Sequence, residues 1–191
     1  MNPVRLVLAS ASPRRLALLA QIGVVPDVVI SPNIDETPLP VELPREAALR
    51  LARAKADAAA TPGAFVLAAD TVVAVGRRIL PKAEDESQAR TCLKLLSGRR
   101  HRVLTAVVLL APDRRRAERV SESAVAFARM TEAQQDAYLT SGEWWGKAGG
   151  YAIQGRAAAH IRLLSGSYSG VVGLPLFETA QLLRGLGYKL P

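Results

Sequence analysis

The chain has 191 residues, 49% of them hydrophobic and 22% charged, with 25 Lys and Arg against 17 Asp and Glu for a formal net charge of +8. That length fills one core well and is short for two, so a single domain over residues 1–191 is expected. A lone cysteine excludes an internal disulfide framework, and aromatics at 5% that do not interleave with a basic stripe argue against a base-stacking nucleic-acid binder; no apolar run is long enough to span a bilayer.

The chain enters an apolar strand at once (Val4, Leu6, Val7, Leu8) with no signal-type core before it, so a cytoplasmic protein with a reduced thiol at Cys92 is expected. In "LASASPRRLALL", Ser12 reads as a helix N-cap and Pro13 as the first helical residue, which places Arg14 and Arg15 in the first turn. Cations there oppose the helix dipole and are mildly destabilising unless an anion is meant to arrive. Gly23 closes this helix, a short strand covers 27–31, and a proline-rich loop with Asp35 and Glu36 runs to Pro44. A long helix follows from Arg45 to about Ala60. Glu46, Arg50, Arg53 and Asp57 are expected to form i,i+4 charge pairs on one face, while Lys55 continues the more apolar stripe of Ala47 and Leu51. Lys55 is either a lysine snorkelling from the helix edge or a cation aimed into a cleft.

In "AFVLAADTVVAVG", Asp70 interrupts an apolar strand, which is costly unless the carboxylate caps a strand end, pairs with a cation or holds a metal. It is the best single catalytic candidate. Lys82 precedes a helix from about Asp85 to Leu96, again a cation near a helix N-terminus. Two strands, 103–111 and 120–127, flank Arg114 to Arg116 as a hairpin, so that basic run reads as a solvated loop. Thr131 caps a short helix. "GEWWGKAGGYAIQG" is too glycine-rich for ordinary structure and implies backbone close to a ligand, though its spacing matches neither a Walker loop nor a Rossmann fingerprint. A Gly and Ser loop then leads to a last helix from near Pro175 to about Gly185. His101 and His160 are isolated and read as structural.

Seven strings, "LASASPRR", "DET", "LARAKA", "AADTVV", "LSGRRHRVLTAV", "GEWWGKAGGYAIQG" and "GSYSGVVGLPL", resemble in order and spacing the Maf family of nucleoside triphosphate pyrophosphatases. The resemblance implies an α/β fold like that of the inosine triphosphatase group: an elongated, bent mixed β-sheet flanked by helices, with a cleft between two lobes. The anion expected at Arg14 and Arg15 is then a triphosphate. Arg14, Thr71 and Gln154 match the branch acting on dTTP and UTP, whereas the branch acting on 7-methyl-GTP carries "SPWRR", "SDQ" and "SEG" at those places. A glutamine amide both donates and accepts, which suits O4 and N3–H of uracil or thymine.

The resemblance further implies attack of water at the α-phosphorus, with Asp70 as proton acceptor and Asp70 with Glu36 holding a divalent cation, Mg2+ or Mn2+. Ser10, Arg14, Arg15, Lys55 and Lys82 would bind the triphosphate; Lys147 also matches a family position and is left outside that set. Many relatives place proline after the second lysine, where this chain has Ala83. The expected partner is a nucleoside triphosphate, with no stable nucleic-acid partner, no membrane, and a homodimer as one assembly. The family's association with inhibition of septum formation supplies the alternative, a regulatory nucleotide- or nucleic-acid-binding protein with little turnover.

Overall fold

The computed structural model describes residues 4–190 and shows a mixed α/β fold. Seven strands form one sheet: β1 (Leu6–Ala9), β2 (Val28–Ile30), β3 (Phe65–Val75), β4 (Arg78–Leu80), β5 (Arg100–Leu110), β6 (Arg116–Phe127) and β7 (Ile161–Ser165). The order is β2-β1-β3-β5-β6-β7, with β4 paired to β3. β1 runs parallel to β2 and β3, and every other pairing is antiparallel. The helices are α1 (Pro13–Gln21), α2 (Pro44–Ala58), α3 (Glu86–Leu96), α4 (Glu132–Thr140), α5 (Tyr168–Val172) and α6 (Leu176–Gly185).

The alternation of β3 sorts the core onto two faces. Val66, Ala68 and Val72 pack on the side of α2 with Ala48, Ala52 and Ala56, whereas Phe65, Leu67, Ala69 and Val73 pack on the other side with helices α1, α3 and α6. The small alanines of α2 let that helix lie close on the sheet. Asp70 therefore faces α2, and Thr71 faces the opposite layer.

One edge of β3 is incomplete, and this makes the cleft. β5 pairs with β3 continuously from Val66 to Ala74, but on the other edge β1 covers only Phe65 to Ala68 and β4 only Val73 to Val75. Ala69, Asp70, Thr71 and Val72 have no strand beside them on that edge. The gap joins the two faces of the sheet.

Several expectations are met: Pro13 opens α1, Gly23 follows it with φ 71°, Thr131 caps α4 by accepting from the Gln134 N–H, and Cys92 is buried in α3. Three need correction. Ser12 stands at the N-cap of α1, but its side chain makes no capping bond, and its own N–H donates to Ser10 Oγ. The charge pairs expected along α2 do not form. Arg50 pairs with Glu42, Arg53 with Glu118 and Asp57 with Arg116, so the helix is tied outward to the loop before it and to β6. Finally, the Gly and Ser loop expected before α6 contains the one-turn helix α5; the stretch ahead of it, for which no element was expected, holds a short 3-10 turn (Arg156–His160) and the edge strand β7.

Candidate active site

A cleft of about 570 Å³ opens at the gap in the sheet edge and collects all nine residues expected there. Ser10, Arg14 and Arg15 come from the end of β1 and the start of α1, Glu36 from the proline-rich loop, and Lys55 from α2. Asp70 and Thr71 come from β3, Lys82 from the turn after β4, and Gln154 from the glycine-rich segment. Lys147 joins them, so five cations line the cleft against the two carboxylates of Glu36 and Asp70.

Asp70 lies mid-strand, where β1 has ended, and is 2% exposed. Such a carboxylate needs a cation, and Lys55 supplies it: Nζ stands 2.5 Å from Asp70 Oδ1 and 2.7 Å from Glu36 Oε1. Lys55, 7% exposed, is thus aimed into the cleft and does not snorkel. Glu36 spans the opening by pairing also with Lys82. Burial works to raise the Glu36 carboxyl, but hydrogen bonds from Lys55 and Lys82 outweigh it and hold the pKa down at about 2.

The two arginines that open α1 differ. Arg15 is committed to the protein: Nε donates to the Gly173 carbonyl at 2.8 Å and Nη1 to Ser10 Oγ at 2.9 Å, tying α1 to the turn after α5. Burial lowers its pKa, opposed by the charge of Asp70. Arg14 is half-buried on the cleft wall, burial lowers its pKa, and no carboxylate stands within ion-pair distance of it among the described residues. The unfavourable charge foreseen for both therefore applies to Arg14.

Lys82 is placed less by the N-terminus of α3, whose cap is Asp85, than by a β-bridge to Ala148 of the glycine-rich segment. Next to it the Ala83 N–H donates to the Lys147 carbonyl at 3.1 Å, a bond that proline could not make. Here the departure from the family pattern has a structural use. The segment itself lies flat on the sheet: Gly149 has φ 69°, and a Cβ there would stand 2.9 Å from Val73 Cγ1. Its Tyr151 lines the cleft and bonds His101 Nε2 at 2.8 Å. His101 is buried and structural, and burial lowers its pKa to about 4. Gln154 is exposed on the cleft and makes no hydrogen bond to another described residue.

Sequence reasoning did not find Tyr151, Thr105 or the turn at Gly173. A tyrosine in a glycine-rich run was the available signal for Tyr151, but nothing local marks a carbonyl or a buried threonine that reaches the site only through tertiary contact. No helix among the described residues is long and apolar enough to cross a membrane.

The sequence has close relatives. The "dTTP/UTP pyrophosphatase" of Granulibacter bethesdensis is 66% identical over 202 residues, covering 96% of this chain and 94% of that protein. The protein of the same name from Gluconobacter oxydans is 67% identical over 188 residues, covering 95% and 86%, and that from Caulobacter vibrioides is 63% identical over 186 residues, covering 96% of each chain. Among solved structures, a HAM1 protein from Coxiella burnetii shares the fold at a TM-score of 0.51 and 18% identity, over 95% of this chain and 99% of that one. The pattern of the Maf-like protein family matches residues 5–186, and with relatives this similar end to end the chain belongs to that family.

Proposed function

We propose that this protein hydrolyses dTTP and UTP at the α-phosphorus to the nucleoside monophosphate and pyrophosphate. One observation carries the reading: a buried carboxylate, Asp70, stands at a break in the sheet edge inside a cleft with five cations and two carboxylates. That surplus of positive charge suits a triphosphate, and the names of the similar proteins agree with the substrate. Neither the cleft nor those names favour the regulatory alternative.

The gap orders the chemistry. On the α2 side, Asp70, Lys55, Glu36 and Lys82 meet the phosphates; on the other side, Thr71 and Gln154 meet the nucleoside, and Arg14 reaches the phosphates from the cleft wall. Asp70 takes a proton from a water whose oxygen attacks the α-phosphorus, and the bond from that phosphorus to the bridging oxygen breaks. Lys55, Lys82 and Arg14 offset the charge that builds on the leaving pyrophosphate. Arg15 holds Ser10 and Gly173 in place at the cleft wall.

Asp70 and Glu36 are the residues that would hold a divalent cation. The donor set fits one: two carboxylates converge on a point that already attracts the Lys55 ammonium. No cluster of three His, Cys, Asp or Glu occurs among the described residues, so water and phosphate oxygens would complete the shell, as is usual for Mg2+. Such an ion supplies charge neutralisation on the phosphate oxygens. The reading places the protein in the cytoplasm with the nucleotide pool.

The test is steady-state kinetics on a panel of triphosphates with wild type and Asp70→Asn. dTTP and UTP should lead the panel, and the variant should keep its fold while losing turnover by roughly two to four orders of magnitude. Near-normal turnover in Asp70→Asn would remove Asp70 from the mechanism.

A further inference from the structure

Gln154 alone cannot tell uracil from cytosine. Uracil presents an acceptor at C4 and a donor at N3, whereas cytosine presents the reverse, and a side-chain amide turned by 180° offers the reverse pattern too. Gln154 is exposed and unpaired among the described residues, so nothing on the protein fixes which way its amide faces. Discrimination needs a group whose hydrogen-bonding sense is locked.

Thr71 is such a group. Its Oγ1 lies 3.0 Å from Oγ1 of Thr105, the residue directly opposite it on β5. Thr105, 1% exposed, donates its single hydroxyl proton to the Gly170 carbonyl at 2.7 Å. That carbonyl depends on it, because Gly173 and Leu174 both donate to the Ser169 carbonyl instead. With the Thr105 proton spent, the proton between the two threonines must come from Thr71. The Thr71 oxygen is then left with lone pairs only on the side that lines the cleft.

The geometry points to a hydrogen-bond relay, in which Thr71 donates to Thr105 and Thr105 to the Gly170 carbonyl, that leaves Thr71 an acceptor toward the cleft and so selects the N3–H of uracil and thymine over the N3 lone pair of cytosine. Thr105 never touches the nucleotide and is a positioning residue. The inference rests on the reading that the base lies against Thr71 and Gln154. An acceptor facing an acceptor leaves both unpaired on the cleft wall, which penalises cytosine as well as rewarding uracil.

The experiment is the ratio of kcat/KM for UTP over CTP in wild type, Thr105→Val, Thr105→Ser and Thr71→Val. Wild type should favour UTP by tenfold or more, on the order of what one matched polar pair supplies. Thr105→Val frees the Thr71 proton, so turnover of CTP should rise and the ratio should fall about tenfold, while Thr105→Ser, which keeps the relay, retains it. Thr71→Val should lose UTP turnover without gaining CTP, a pattern that distinguishes losing the acceptor from unlocking it. Equilibrium binding of UMP and CMP to wild type and Thr71→Val gives the same answer if Thr105→Val does not fold: the preference for UMP should vanish in Thr71→Val. An unchanged ratio in Thr105→Val, or a UMP preference that survives in Thr71→Val, overturns the relay. Equal turnover of UTP and CTP by wild type overturns it while leaving the pyrophosphatase reading intact. Failure to turn over any pyrimidine triphosphate, with no UMP preference, removes both.

Discussion

Replacing Lys55 with methionine tests the electrostatic centre of the cleft. The side chain keeps its length and apolar stem, but the ammonium that stands 2.5 Å from Asp70 and 2.7 Å from Glu36 is gone. Asp70 is 2% exposed and has no other ion-pair partner among the described residues, so its carboxylate is left buried without compensation. Breaking a buried pair from one side costs about 3–5 kcal/mol, a large share of the ~5–15 kcal/mol that holds a typical domain together. For a chain of this length that lowers Tm by about 10 °C at neutral pH. Two internal controls identify the cause. Adding Asp70→Asn to Lys55→Met should recover most of the loss, because the orphaned charge is removed. Lowering the pH should also narrow the gap between variant and wild type. Wild type loses the contribution of Glu36 as the pH falls from its ordinary 4.5 toward the folded value of about 2, while the variant, whose Glu36 keeps only its pair with Lys82, has less of that contribution to lose. Thermal unfolding at neutral pH reads the first effect, and a series taken down from pH 4.5 toward 2 reads the second. A Lys55→Met protein as stable as wild type at pH 7, or a deficit that Asp70→Asn does not relieve, would refute the reasoning.

The two arginines should separate: Arg14→Ala leaves unfolding unchanged or slightly stabilised and weakens turnover, whereas Arg15→Ala, which loses bonds to Ser10 and Gly173, lowers both stability and turnover in the same assays. Gln154→Glu removes the donor for O4, so kcat/KM for dTTP and UTP should fall more than that for 7-methyl-GTP, whose N1–H and N2 donors suit a carboxylate; an equal fall on all three would mean that Gln154 supports the loop without reading the base. His101 is held uncharged, its pKa lowered from 6.5 to about 4 by burial. Below pH 6.5 the unfolded chain binds a proton that the folded one refuses, so stability should drop as the pH falls from 6.5 to 4, and urea unfolding of His101→Phe should lack that component.

What the sequence revealed and what it hid follow from the range of each interaction. Pro13, Gly23, Thr131 and the hairpin around Arg114 to Arg116 announce themselves because capping and turn chemistry act over a few residues. Asp70 was legible for a different reason: a carboxylate in an apolar strand demands a partner wherever the partner lies. The spacing of α2 suggested charge pairs within one helix, but Arg53 and Asp57 reach β6, which only the packed sheet brings alongside. Lys55 stayed open between two roles until Glu36 and Asp70 were seen to close on it. The gap beside Asp70 depends on where β1 and β4 stop along β3, a fact of register that no local pattern encodes. Likewise Thr105 looks like any threonine of a buried strand, and its relay exists only because α5 folds over it.

The central claim is that water attacks the α-phosphorus under Asp70. Hydrolysis of dTTP by the wild-type protein in water enriched in oxygen-18, followed by mass spectrometry of both products, tests it most directly. The account predicts one labelled oxygen in dTMP and none in the pyrophosphate released with it. Label in an inorganic phosphate, with dTDP as the other product, would place the attack at the terminal phosphorus and contradict it.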